Sequence, residues 1–202
     1  MSGIIAQNTL LSSGLIKSPA GGGAWNFISK QTADGDSTIS FTSGIDDTYR
    51  LYLITYNKIH NNTDNGGFNF QCSLDSGSNY NIANTSTAFR AEHDEADSDT
   101  TLAYRGDDNF DSQQQTTFQR LIDGTGNASD ESGAGFLQLF NPSSTTFVKH
   151  FMVRVIRYQH DDAARDDYIA GYCNVTAAID GVQFSMTSDE VDAGSFKLYG
   201  VT

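Results

Sequence analysis

Phe68-Asn-Phe-Gln-Cys-Ser-Leu-Asp75 alternates apolar and polar residues without a break and runs into the turn sequence Asp75-Ser-Gly-Ser-Asn79. A period of two puts Phe68, Phe70, Cys72 and Leu74 on one face and Asn69, Gln71, Ser73 and Asp75 on the other. That is the pattern of a strand with one side in a core and the other in water. The same alternation recurs at Ile39 and Phe41, at Phe151, Val153 and Val155, at Val182, Phe184 and Met186, and at Phe196 and Leu198. The fold class that follows is all-β, an antiparallel β-sandwich of the jelly-roll kind.

Working outward, strands are predicted over 25–29, 38–42, 50–59, 68–74, 136–140, 150–158, 168–175, 182–186 and 195–199. The runs Arg50 to Ile59 and His150 to Tyr158 are partly apolar on both faces, which suits central strands or strands beneath a neighbouring subunit. Between them lies Ala83 to Gly135, rich in Asp, Ser, Thr, Gln and Gly. Thr100 to Tyr104 and Thr116 to Ile122 are the parts of it expected to be strand. The remainder is expected to be the most exposed part of the molecule, since long connections are usually functional or disordered.

The chain is read as two parts, an N-terminal docking arm at 1–23 and a sandwich domain at 24–202. The arm spreads Ile4, Ile5, Leu10, Leu11, Leu15 and Ile16 among Ser, Asn, Thr and Gly and ends in Ala20-Gly-Gly-Gly23. It keeps neither a helical nor a strand period, yet it is too apolar for a purely solvated tail. The expectation is an extended arm on a glycine hinge, with a loose terminus as the plainer alternative.

A formal charge of −13, from 12 basic against 25 acidic residues, excludes the surplus of cations that nucleic acid or an anionic membrane requires. Copies of such a chain repel one another, so an oligomer needs apolar or hydrogen-bonded contacts. The 2 cysteines are too few for a disulfide framework and sit within strand-like runs. They are expected to be buried thiols, in a protein that folds in a reducing cytoplasm. No apolar run is long enough for a membrane span, and residues 1–23 lack the basic start and apolar centre of a signal peptide.

Two acidic clusters invite a metal reading: Glu92-His-Asp-Glu-Ala-Asp-Ser-Asp99, followed by Asp107, Asp108 and Asp111, and Asp161-Asp-Ala-Ala-Arg-Asp-Asp167. The first lacks the central glycine and closing glutamate of a calcium loop, and solvated, self-repelling loops are the expectation for both. The 4 histidines share no ligand spacing, and no Gly-x-Ser-x-Gly elbow occurs. The chain is therefore expected not to be an enzyme and to need no cofactor or metal. Tyr49, Tyr52, Tyr80, Tyr104 and Tyr158 stand among Asn and Gln, a set suited to sugar binding, to the core or to a subunit interface.

Several short motifs run together: Gly21-Gly-Gly-Ala-Trp-Asn-Phe-Ile28, Ile39-Ser-Phe-Thr-Ser-Gly-Ile-Asp-Asp-Thr-Tyr49, Asn57-Lys-Ile-His60, Phe68-Asn-Phe-Gln71, Ser76-Gly-Ser-Asn-Tyr80 and Ala193-Gly-Ser-Phe-Lys-Leu-Tyr-Gly-Val201. In these the chain resembles a family of virion structural proteins of tailed bacteriophages, especially phages of marine bacteria and cyanobacteria. The resemblance implies a non-enzymatic β-sandwich subunit on the particle surface, made in the host bacterial cytoplasm. It further implies a capsid decoration, or cement, protein whose arm binds the major capsid protein or other virion proteins, and a homo-oligomer, with a trimer expected. The alternative is a tail-fibre or tail-tip module that contacts host surface glycans through the loops of Ala83 to Gly135.

Overall fold

The computed structural model describes residues 25–107 and 109–202, and among them every regular element is a strand. They are β1 (Trp25–Asp36), β2 (Thr38–Phe41), β3 (Leu51–Asn61), β4 (Gly66–Ser73), β5 (Asn84–Asp94), β6 (Thr100–Tyr104) and β7 (Gln113–Gln115). The series continues with β8 (Gln119–Thr125), β9 (Gly133–Phe140), β10 (Lys149–Gln159), β11 (Ala163–Cys173), β12 (Gly181–Met186) and β13 (Val191–Val201). Each predicted strand is present, those expected at Thr100 to Tyr104 and within Thr116 to Ile122 as β6 and β8, and β5 and β7 add two within the stretch read as mostly loop.

All pairings are antiparallel. One run of neighbours is β1-β13-β3-β9-β10-β11-β5, with β6 and β7 both on the far edge of β5. A second is β8-β4-β12-β2. The runs join only where Gln159 pairs with Thr125, so β10 leaves one layer where β8 enters the other. At the opposite margin β1 passes to β2 through Ser37 alone. The result is a sandwich of a large and a small sheet that nearly closes on itself, the expected class with more strands than a jelly roll's eight.

The alternating apolar residues meet between the layers. Phe68 and Phe184 of the small sheet stack with centroids 5.5 Å apart, and Phe68 meets Tyr56 of the large sheet edge-on at 5.4 Å. Phe196 closes the cluster 5.4 Å from Phe184, and Phe70 meets Phe151 at 5.1 Å. Such pairs add about 0.5–1.5 kcal/mol each beyond the area they bury. Cys72 and Cys173 face each other across the layers with Sγ atoms 3.8 Å apart, both free and buried as expected.

Two details of the opening strand differ from the alternation. Its polar residues Asn69, Gln71 and Ser73 do not face water but are buried. Gln71 Nε2 donates to the carbonyls of Ile82 at 3.1 Å and Thr117 at 3.1 Å, and its Oε1 accepts from Cys72 N at 2.9 Å. The segments before β5 and between β7 and β8 have folded over the small sheet, and their backbone carbonyls replace water as partners of Gln71. Leu74, assigned to the core, is exposed because it lies just beyond the end of β4. The turn that follows is as predicted: Asp75 accepts from Asn79 N at 2.8 Å, and Gly77 takes the positive φ of 87° that favours glycine.

The expectation of exposure for the remainder of Ala83 to Gly135 is overturned in part. β5 pairs along its whole length with β11, and Ala88, Phe110 and Ser112 are buried, whereas residues 95–99 and 127–130 are exposed as expected. The consecutive Thr85, Ser86 and Thr87 of β5 obscured a strand whose stability comes from its neighbours rather than from apolar content.

Candidate functional site

The docking-arm residues Ile4, Ile5, Leu10, Leu11, Leu15 and Ile16 lie outside the described residues. The tyrosines do not converge. Tyr52 is wholly buried and its hydroxyl donates to Asp46 Oδ1 at 2.9 Å, with Tyr49 edge-on against its ring at 5.8 Å. Tyr158 donates to Asp162 Oδ1 at 3.0 Å, and Tyr104 stands exposed on β6.

The first acidic cluster is a hairpin loop between β5 and β6. Asp94 Oδ1 accepts from the backbone N–H groups of Ser98 at 2.9 Å and Asp99 at 3.0 Å, and its other oxygen accepts from the Ser98 hydroxyl. Those bonds, the Ser98 hydroxyl first, hold its carboxyl down at about 2. Among the described residues no three His, Cys, Asp or Glu side chains gather as a metal site.

The second cluster was read as a solvated loop, and the structure divides it. Asp161 and Asp162 make the β10–β11 turn, whereas Asp166 and Asp167 belong to β11. Asp167 is fully buried, because the register that faces Ile169 and Cys173 inward also faces Asp167 inward. Arg157, inward on β10, bonds to both Asp167 and Asp123. Arg105, from the end of β6, reaches Asp123 at 2.5 Å and Asp107 at 2.9 Å and lies 4.1 Å above the Phe110 ring. Burial pushes the Asp167 carboxyl up against the pull of Arg157, while at Asp123 the two guanidiniums overcome burial and hold the carboxyl down. The cluster pins β8, β10, β11 and the segment after β6 together where the two sheets join. Sequence reasoning missed it because its members are distant in the chain.

His60 is the one histidine with a carboxylate orienting Nδ1 and serines nearby: Nδ1 lies 2.9 Å from Asp192 Oδ2, and Ser129 and Ser132 line the same hollow. Its Nε2, which would have to take a proton from a serine nucleophile, instead faces the Ala128 carbonyl at 3.2 Å.

The broadest chemical feature is the outer face of the large sheet. Cross-strand register puts Phe27, Tyr199, Leu53, Gln138, Met152 and Ala170 in one row across six strands. A neighbouring row runs Thr55, Phe136, Arg154, Tyr168, Phe89 and Tyr104. Tyr168 and Phe89 stack with centroids 4.8 Å apart and planes 4° apart, and Arg154 lies 4.8 Å from the Tyr168 ring. Arg154 also bonds to Asp166 at 2.7 Å. Small residues on β9 and β11, among them Ala134, Gly135, Ala170 and Gly171, leave two shallow hollows of about 460 and 530 Å³ flanking β10. The face is rich in aromatic and apolar side chains, with Leu53 buried within it and Phe27, Phe89, Tyr104 and Met152 exposed. No protein-family model and no curated protein matches the chain.

Proposed function

We propose that this chain is a non-enzymatic structural subunit of a phage particle, a decoration protein of the head surface held by its N-terminal arm. The observation that carries the reading is the position of Trp25. It begins β1, an edge strand that among the described residues bonds only to β13, and it is exposed at the outer rim of the large sheet. Trp25 thus stands at an open edge of the sandwich, from which a neighbouring protein is accessible. Ile4, Ile5, Leu10, Leu11, Leu15 and Ile16 supply the arm with apolar anchors, and the glycines at 21–23 supply the joint. The major capsid protein is the partner this reading names.

The test is co-sedimentation of purified protein with undecorated particles. The full chain is expected to pellet with the heads and the chain lacking residues 1–23 to stay in solution; equal binding by both removes the arm mechanism. The tail-module reading would use the exposed Tyr104 and Phe89 for host glycans. It is the weaker of the two, because Phe89 and Tyr168 stack on each other and one face of each ring is already covered.

A further inference from the structure

The outer face of the large sheet has no partner within the described subunit, and its chemistry is opposite to that of the chain as a whole. Of the side chains that the register turns outward on β9, β10 and β11, one is a carboxylate, Asp166, and it is paired with Arg154. Lys197 of β13 and Lys30 of β1 extend the same rows. A protein carrying −13 has placed its acids elsewhere, many of them in the β5–β6 and β10–β11 turns and at the β12–β13 end. Two copies brought together through any acidic surface repel; through this face they do not.

We infer that this face is the contact between two copies of the chain, packed sheet on sheet about a two-fold axis. The exposed area is of the size such a contact needs. Trp25, Phe27, Phe89, Leu102, Tyr104, Met152 and Ile156 are between 46% and 77% exposed. At roughly 200 Å² per large side chain they leave roughly 700 to 800 Å² open, beyond the few hundred Å² usual on a monomer and close to the ~800 Å² per partner of a standard interface.

The arrangement is also self-complementary. Eight strands cross the face, from β1 to β6, with β9 and β10 as the middle pair. An axis lying between the sheets along that pair sets the β1 margin of one copy over the β6 margin of the other. By the cross-strand register Phe27 then falls one row along from Tyr104 of the other copy, and the Arg154–Asp166 pairs lie near the axis. Stacked sheets sit ~10 Å apart, which the two hollows flanking β10 allow Met152 and Ile156 to fill. This contact holds wherever on a particle the subunit sits, and it uses no residue of the arm.

The test is sedimentation equilibrium of the full chain without particles, beside the double variant Met152→Glu/Ile156→Glu and the control Leu74→Glu, which alters an exposed apolar residue off this face. The expected result is a two-chain species for the wild type and the control. The double variant is expected to run as a single chain with an unchanged circular dichroism spectrum, its dimer dissociation constant raised about a hundredfold or more. A wild type of one chain at roughly 100 μM overturns the inference, leaving the face to the arm or to another virion protein. A dimer that survives the double substitution overturns it too, as does a three-chain species, which a two-fold contact cannot close. Head binding is measured separately, so a failed dimer and a failed attachment are told apart.

Discussion

β4 and β10 invert each other. The outward side chains of β4 are polar and buried, and those of β10 include apolar Met152 and Ile156, exposed. The inward face of β10 reverses the expectation again: with Phe151, Val153 and Val155 it buries Lys149, Arg157 and Gln159. The polarity of a face therefore does not say which side of a strand meets water. A polar face can be covered when backbone carbonyls stand where water would, as Ile82 and Thr117 do for Gln71. An apolar face can stay open when the subunit has no further layer to lay over it, and it is then a surface for another molecule.

The sharpest way to break this comparison is at the buried charges. Arg157→Met leaves Asp123 and Asp167 facing each other with only Arg105 between them, and the expected cost is about 3–5 kcal/mol, measured by urea denaturation. A loss under 1 kcal/mol would mean that the cluster is not buried as described. On the covered side of β4, Gln71→Leu strands the carbonyls of Ile82 and Thr117 and should cost about 1–3 kcal/mol in the same measurement. The inversion weakens if that variant is neutral.

A smaller effect is read in acid. The Asp94 carboxyl titrates at about 2 in the folded protein against an ordinary 3.8. A folded value below the unfolded one stabilises above the unfolded value, and this stability is lost as pH falls from about 4 to about 2. Asp94→Ala should be less stable than the wild type at pH 7, with the gap closing by pH 2. A gap that stays constant across that window would show that the turn does not depend on the carboxylate. The smallest effect belongs to the open face: Met152→Ser should change the stability of the single subunit by no more than about 0.5 kcal/mol, read by thermal melting at low protein concentration. A larger loss would mean that Met152 is covered within its own subunit.

Much of the frame was legible in the chain. The alternation at Phe68 and Phe70, Phe151 to Val155, Val182 to Met186 and Phe196 to Leu198 marks residues that do form the core, because a period of two is a local property of extended backbone. The turn at Asp75 to Asn79 was legible for the same reason, its carboxylate bonding to amides within four residues. β5 was not legible, since Thr85, Ser86 and Thr87 pair with β11 only after the chain has travelled some eighty residues. Nor was the Arg105, Arg157, Asp123 and Asp167 cluster, whose members come from four separate segments.

By itself, then, the sequence determined the strand class, the core-facing residues of most strands, the burial of both cysteines and the acidic balance that keeps copies apart. These follow from local period, composition and charge, which need no partner in space. The tertiary structure alone decided which polar residues are buried, which apolar face is open, and that the acids avoid that face. Each of those depends on what a distant segment lays over a strand, and the spacing of residues along a chain carries no record of it.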